Sequence, residues 1–166
     1  MPQSSEEIES FIIGLAAREP DLPGAWYHVG IVLRESNELI GDCGLHVLEE
    51  DPSQIEFGIT VAPPFRFKGF ATESMRAIFG YVFDEIGKRR RFGSVHPRND
   101  RSVALMLRLG LRQEAHLVER IRFKGEWADE IILAMLGREW RQRGTGADQV
   151  TSPTQRNSVD ALLCPF

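Results

Sequence analysis

The sequence has few of the features that mark membrane proteins, secreted disulfide scaffolds or metal centres. Two cysteines, Cys43 and Cys164, occur among 166 residues, which is too few for a disulfide framework and lacks a metal-binding spacing. No apolar run approaches the roughly 18 residues of a membrane-spanning helix, and no signal peptide opens the chain. We therefore expect a soluble protein of the reducing cytoplasm, with no membrane partner and no metal.

The chain also has no excess of positive charge. The net charge is −4, and one basic run, Lys88–Arg91, is the main local concentration of cations. It falls where a predicted helix ends, a place where cations complement the helix dipole, so we expect no nucleic-acid partner. The glycine-rich loops that bind nucleotide phosphates, Gly-x-x-x-x-Gly-Lys-Ser/Thr and Gly-x-Gly-x-x-Gly, do not occur after the strands. The common nucleotide-binding folds are therefore not predicted.

The pattern along the chain predicts one mixed α/β domain over 1–143. Hydrophobic content of 42% and charged content of 27% are ordinary for a globular domain. Residues 144–166 are polar and without periodicity, so we expect a flexible tail there. The predicted elements are a helix over 4–15, strands over 26–33, 39–48 and 54–61, an amphipathic helix with an apolar stripe over 75–86, a strand over 92–95, a helix from Asn99 to Gly110, and a hairpin of strands over 116–123 and 129–136.

The segment from Pro63 to Ser74 predicts an anion-binding site. It follows the alternating strand over 54–61 and leads into the amphipathic helix, so unpaired N–H groups at the start of that helix face outward. The helix dipole favours negative charge at this end, and Arg66 and Lys68 add two full positive charges. This arrangement favours a phosphate or a pyrophosphate as the ligand.

Four stretches are informative in their order and spacing, and the region to which they belong extends over about residues 25 to 141. They are Ile55–Gly58; Arg66–Glu73; Asn99–Ser102 with Leu109–Leu111; and Glu114–Leu117 with Lys124–Trp127, Asp129 and Glu139–Trp140. These stretches resemble the GNAT superfamily of acetyl-coenzyme A-dependent N-acetyltransferases, and in particular its ribosomal-protein alanine N-acetyltransferase branch. Their combination is much more specific than Arg66-x-x-Gly69-x-Ala71 alone.

The resemblance implies a mixed, mostly antiparallel central sheet flanked by helices, with splayed strands that form a cofactor cleft. It also implies acetyl-coenzyme A (acetyl-CoA) as the acetyl donor. Backbone N–H groups of Arg66–Ala71 would wrap the pyrophosphate, which Gly69 lets approach closely, and the strand Ile59–Val61 would pair with the pantetheine amides. The cofactor-binding residues implied are Ile59, Thr60, Val61, Arg66, Phe67, Lys68, Gly69, Phe70, Ala71, Thr72, Asn99 and Ser102.

The resemblance makes Ser102 the candidate proton donor to the leaving thiolate. Many relatives carry a tyrosine four residues after the matching serine, but this chain has Met106 there, which cannot donate a proton. Ser102 is the substitute, because some members of the branch are thought to use it. The alternative is a local capping bond in the first helical turn, just as Asn99 would serve as a plain helix N-cap.

The sequence offers several candidates for the general base. Glu56 matches a glutamate of the branch, whereas other branches place theirs at the position of Ile55, which points to the opposite face of the strand. The alternative for Glu56 is a surface or ion-paired carboxylate. Glu119, on the strand that enters the last hairpin, is the second candidate. The strand histidines His46 and His116 are further candidates for the base, and deprotonation through water without a dedicated base is another alternative. Asp129 is expected to be a structural carboxylate.

The expected function is acetyl transfer from acetyl-CoA to a primary amine, either a protein N-terminus or a small molecule. Relatives usually have a strand and a helix before the segment that matches 4–15, while this chain starts at Met1. An altered sheet edge, a strand from a partner, or a shortened version of a longer protein would each account for this. The alternative function is a non-catalytic acyl-CoA-binding or regulatory module. For the assembly, a homodimer is the default expectation.

Overall fold

The structure, a computed structural model, describes residues 21–144 and the backbone of 159–162. The helix predicted over 4–15 and most of the predicted tail lie outside the described residues. In the part that is described, no helix is both long enough and apolar enough to cross a membrane.

The described residues form seven strands and three α-helices, joined by a short 3-10 helix and a π-helical turn. The strands predicted over 26–33 and 54–61 have those bounds, whereas both strands of the last hairpin are longer than predicted. The elements are β1 (Trp26–Leu33), β2 (Leu39–Val47), β3 (Gln54–Val61), the 3-10 helix (Pro63–Phe65), α1 (Phe70–Gly80), the π turn (Tyr81–Glu85), β4 (Arg90–Val95), α2 (Asp100–Leu109), β5 (Arg112–Phe123), β6 (Glu126–Leu136), α3 (Gly137–Gly144) and β7 (Val159–Leu162).

One mixed sheet contains all seven strands, in the order β5-β6-β4-β3-β2-β1-β7. Every neighbouring pair is antiparallel except β3 and β4, which are parallel. A parallel pair needs a crossover connection, and α1 with the π turn supplies it. The prediction of a mixed, mostly antiparallel sheet flanked by helices is confirmed.

The alternation in β3 decides which side chains enter the core. Ile55 and Phe57 are 0% and 4% exposed and lie under the helices, whereas Glu56 and Gly58 face the other side of the sheet. The apolar stripe predicted over 75–86 covers the same core, although the α-helix ends at Gly80 and the π turn continues it with two buried residues, Val82 and Phe83. The larger core cluster also takes residues from β1, β2, β4, β6 and α2.

The basic run Lys88–Arg91 does not cap a helix as the sequence suggested, because the π turn has already ended. Lys88 is 6% exposed, donates from Nζ to the carbonyl oxygen of Pro52 at 2.6 Å, and forms an ion pair with Asp21. The last two residues of the run open β4, and Arg91 is 1% exposed. Lys88 and Arg91 are therefore buried in tertiary contacts and are not available on the surface.

Four residues of the predicted flexible tail form a strand. β7 pairs antiparallel with β1, joining Gly30 to Leu162 and Leu33 to Val159 at the two ends of the register. For these four residues the expectation of a structureless tail was wrong. The pairing covers an edge of β1 that would otherwise present unpaired backbone groups.

Candidate functional site

The parallel strands β3 and β4 pair briefly and then diverge. Their pairing ends at Glu56 and Phe92, and from Phe57 onward β3 continues to pair with β2 alone. The edge of Phe57–Val61 that faces β4 therefore has no strand partner among the described residues. Backbone N–H and C=O groups along this edge can pair with an extended polar ligand, as an added strand would. The three pairs of the register are Gln54 with Arg90, Ile55 with Arg91, and Glu56 with Phe92.

Gly93 and Met106 fill the point at which the strands part. A Cβ added to Gly93 would lie 2.6 Å from Cε of Met106 and 3.2 Å from the carbonyl oxygen of Phe57, so a larger residue does not fit there without a shift. Met106 is 5% exposed and belongs to the core. The position at which many relatives carry a tyrosine is thus occupied by a buried thioether that donates no proton.

A cleft of about 570 Å³ opens between the end of β3, the segment before α1, and α2. Ten of the twelve residues that the sequence predicts for cofactor binding line it. Lys68 and Phe70 do not: the Nζ of Lys68 lies 5.6 Å from the centroid of the Phe65 ring, and Phe70 is buried beside Ile31 and Ile40. The lining residues are Ile59, Thr60, Val61, Phe65, Arg66, Phe67, Gly69, Ala71, Thr72, Asn99, Arg101, Ser102, Ala104, Leu105 and Arg108.

The loop before α1 has the backbone geometry of an anion cradle. Gly69 is the N-cap of α1 and has a φ of +90°, and apart from Gly69 and its chain neighbours no protein atom among the described residues lies within 4 Å of where its Cβ would be. Phe67 also has a positive φ, +64°. Turns of this kind direct successive N–H groups into one concavity, next to the positive end of the helix dipole. The open space above Gly69 fits the close approach of a phosphate.

Arg66 is held in place at the mouth of this loop. Its Nε donates to the carbonyl oxygen of Val61 at 2.7 Å, which ties the side chain to the end of β3. Because the guanidinium has further N–H groups and lines the cleft, it can still donate to a ligand there. The loop therefore combines backbone donors with one preorganised full charge.

Asn99 and Ser102 begin α2 and lie on the wall of the cleft. The Oδ1 of Asn99 accepts a hydrogen bond from the backbone N–H of Ser102 at 3.2 Å, so Asn99 is the N-cap of the helix. Gly110, with a φ of +92°, ends α2 as the sequence predicted. Among the described residues no hydrogen bond occupies the Oγ of Ser102. The capping bond uses its backbone rather than its hydroxyl.

Glu56 does not line the cleft. It lies on the other face of the sheet, beside the gap that opens where β3 and β4 diverge. Its Oε1 accepts a hydrogen bond from Oγ of Ser94 at 3.3 Å, and its Oε2 lies 3.8 Å from Nδ1 of His46. The ring of His46 stacks on that of Trp26, with centroids 4.9 Å apart. The four side chains form a row across β1 to β4, and the row ends where β3 and β4 part. Ile55, the position at which other branches place their glutamate, is fully buried.

Glu119 lies on the β5–β6 hairpin, outside the cleft. Its backbone, rather than its carboxylate, contacts Asp129: the N–H of Glu119 donates to Oδ1 of Asp129 at 2.9 Å. Nε2 of His116 lies 2.7 Å from the other carboxylate oxygen of Asp129. These two contacts, the backbone N–H first, lower the pKa of Asp129 because they stabilise its charged form. Asp129 thus ties Glu119 to β6 at the place where the register of β5 shifts, between Leu117 and Ile121.

The sequence interpretation missed the α2 wall of the cleft. Arg101, Ala104, Leu105 and Arg108 all line it, at helical spacings of three, four and seven residues from Arg101. This periodicity is legible in the sequence. What the sequence did not reveal is that this face of α2 is turned toward the loop before α1, since that depends on how the helix packs.

Comparison with known proteins agrees with this geometry. A family model described as an acetyltransferase (GNAT) domain matches residues 1–112. The chain is 28% identical over 119 residues to the uncharacterized N-acetyltransferase p20 of Bacillus licheniformis, covering 72% of this chain and 67% of that protein. It is 23% identical over 118 residues to the ribosomal protein uS5-alanine N-acetyltransferase of Escherichia coli, covering 70% and 61%. The chain thus spans about two thirds or less of the length of these relatives.

Solved structures show the same fold. A spermidine N-acetyltransferase SpeG chimera from Vibrio cholerae and hSSAT superposes with a TM-score of 0.73 at 24% identity, covering 85% of this chain and 84% of that one. A probable acetyltransferase superposes with a TM-score of 0.74 at 26% identity, covering 84% and 77%. On the family match over two thirds of its length, together with the cleft between diverging strands, the chain belongs to the GNAT family of acetyltransferases.

Proposed function

We propose that the protein transfers an acetyl group from acetyl-CoA to a primary amine, and that the cleft beside β3 binds the donor. The observation that carries this is the coincidence of three features in one cleft: an unpaired strand edge, a helix N-terminus capped by Gly69, and the arginine side chain of Arg66. The first suits the pantetheine amides and the other two suit the pyrophosphate. Acetyl-CoA would supply an acyl group already activated as a thioester.

The residues of the cleft would position the donor and protonate its leaving group. The backbone donors of the loop before α1 would fix the pyrophosphate. The free edge of β3 would align the pantetheine arm, which carries the thioester to the gap between β3 and β4. Such positioning supplies a large part of the acceleration in reactions of two bound partners. A backbone N–H of Ile59–Val61 would stabilise the oxyanion. The hydroxyl of Ser102, not used in capping, would give its proton to the departing thiolate.

The acceptor would reach the gap from the opposite face of the sheet, where Glu56 lies. There its carboxylate would accept a proton from the ammonium group of the acceptor, and the neutral amine that results would attack the thioester carbonyl. Ser94 and His46 would hold it beside the end of the paired part of β3. Glu119 is the competing base, although its hydrogen bond to Asp129 uses its backbone N–H and not its carboxylate.

The test of this function is release of coenzyme A thiol that depends on an added amine, with the product identified by mass spectrometry. The panel should contain peptides that begin with alanine, because one relative is a ribosomal protein uS5-alanine N-acetyltransferase. It should also contain spermidine and simpler amines, because proteins of the same fold include spermidine N-acetyltransferases. Binding of acetyl-CoA without thiol release for any amine would instead support the non-catalytic acyl-CoA-binding module.

Three substitutions test the assigned roles, once an acceptor is known. Ser102→Ala should lower kcat by about 100-fold, the lower range for loss of a general acid, and leave the affinity for acetyl-CoA within about threefold. Glu56→Gln should lower kcat by a similar factor. Glu119→Gln should have less than about a threefold effect. A larger loss in Glu119→Gln than in Glu56→Gln would transfer the role of base to Glu119.

A further inference from the structure

We infer that Arg101 and Arg108 recognise the 3′-phosphate of coenzyme A and so make the protein selective for coenzyme A over 3′-dephospho-coenzyme A. The inference rests on the proposed function, because it concerns a second part of the same donor. Coenzyme A has two separate anionic centres, the pyrophosphate and the phosphate on the 3′ oxygen of its ribose. One anion cradle does not account for both.

The cleft contains more positive charge than the pyrophosphate requires. Arg66 and the start of α1 already form one anion cradle, while Arg101 and Arg108 lie on the α2 wall. In the described part of the chain none of these three arginines forms an ion pair with a carboxylate. Other arginines do: Arg90 and Arg112, outside the cleft, both pair with Glu114. Guanidinium groups gathered in one cleft without carboxylates suit a ligand with several negative charges.

The spacing along α2 allows the long side chains of both arginines to reach one phosphate between them. Arg108 follows Arg101 by seven positions, or about two helical turns, which places their Cα atoms about 10 Å apart along the axis. Ala104 and Leu105 lie between them and also line the cleft. The short side chain of Ala104 leaves room between the two guanidinium groups. The wall is thus a shallow apolar strip with a cation at each end.

Phe67 connects this wall to the loop before α1. Its ring is 79% exposed, and Cζ of Arg101 lies 4.7 Å from the ring centroid. A phenylalanine with a φ of +64° is strained, and such strain persists where the surrounding structure or a ligand requires it. An exposed ring beside a guanidinium offers a stacking surface for a base. The adenosine part of the donor would therefore lie here, with its phosphate toward the α2 wall.

Isothermal titration calorimetry with coenzyme A and with 3′-dephospho-coenzyme A tests the inference. The wild type should bind coenzyme A about tenfold or more tightly, since charge-assisted hydrogen bonds to phosphate are strong. Arg101→Ala and Arg108→Ala should each reduce this ratio, and the double variant should bring it within about twofold of one. Its affinity for 3′-dephospho-coenzyme A should stay within about threefold of wild type.

Arg76→Ala is the matched control, because it removes an exposed arginine from α1 that does not line the cleft. It should leave the ratio unchanged; a loss equal to that in Arg108→Ala would contradict the assignment by showing a general effect of charge. Equal binding of both ligands to the wild type would overturn the inference and leave the donor proposal standing. Binding of neither ligand would contradict the donor proposal itself, and the inference with it.

Discussion

Gly69→Val is expected to remove measurable binding of acetyl-CoA while the protein stays folded. The φ of +90° at this N-cap is available to glycine and disfavours a β-branched side chain, and the new Cβ would project into open space above the start of α1. Both effects displace N–H groups from the anion. Loss of two such charge-assisted bonds, each worth about 1.5–3 kcal/mol, corresponds to at least about a 100-fold loss of affinity.

Gly125→Val supplies the control for this prediction. Gly125 has a φ of +88°, lies in the turn between β5 and β6, and likewise has no atom within 4 Å of an added Cβ. Both variants should lose a similar amount of stability, about 1–2 kcal/mol, from the backbone strain. Calorimetric titration should find wild-type affinity in Gly125→Val. Equal affinities in the two variants would mean that the cradle lies elsewhere.

The strands and the helix caps could be predicted because local signals determine them. The alternation of Ile55, Phe57 and Ile59 with polar residues shows which face of β3 is buried, and the structure has that parity. Asn99 and Gly110 mark the two ends of α2 through their own backbone and side-chain preferences. The loop before α1 was legible for the same reason. Its residues are contiguous, so its turn does not depend on distant contacts.

What the sequence did not reveal depends on contacts between distant segments. The pairing of β7 with β1 joins residues more than a hundred positions apart, and a strand of four residues within a polar stretch is too short to show a periodicity. The row of Trp26, His46 and Glu56 forms through the register of three strands. The burial of Arg91 was also not predicted, because a basic run next to a helix end is normally exposed.

The burial of Arg91 leads to the second large prediction: Arg91→Met should stabilise the protein. Arg91 is 1% exposed, and neither Nε nor Nη1 has a hydrogen-bond partner. The third guanidinium nitrogen, Nη2, donates a weak hydrogen bond to Sδ of Met135 at 3.7 Å. Burial lowers the pKa of Arg91 because the charged form loses its hydration. Among the described residues no carboxylate forms an ion pair with it to offset that cost.

Aromatic rings are the main compensation for this buried charge. The guanidinium lies over Phe79, with its Cζ 4.2 Å from the ring centroid of Phe83 and 5.6 Å from that of Trp140. A desolvated contact of this kind is worth about 2 kcal/mol, whereas the penalty for burying an ion is several kcal/mol even after relaxation. Methionine is unbranched and flexible, so it can pack against the same rings without carrying a charge. The expected gain in unfolding free energy is about 1–4 kcal/mol.

Urea denaturation distinguishes the contributions of charge and volume. Arg91→Met should raise the midpoint without changing the slope. Arg91→Ala should lower the unfolding free energy by about 2–4 kcal/mol, because truncation leaves a cavity among the rings. A loss of more than about 1 kcal/mol in Arg91→Met would show that the aromatic contacts outweigh desolvation. Acetyl-CoA affinity should be the same in all three proteins, since Arg91 lies in the core and does not line the cleft. Stability and donor binding would then vary independently, as expected if the core and the anion cradle are separate parts of the fold.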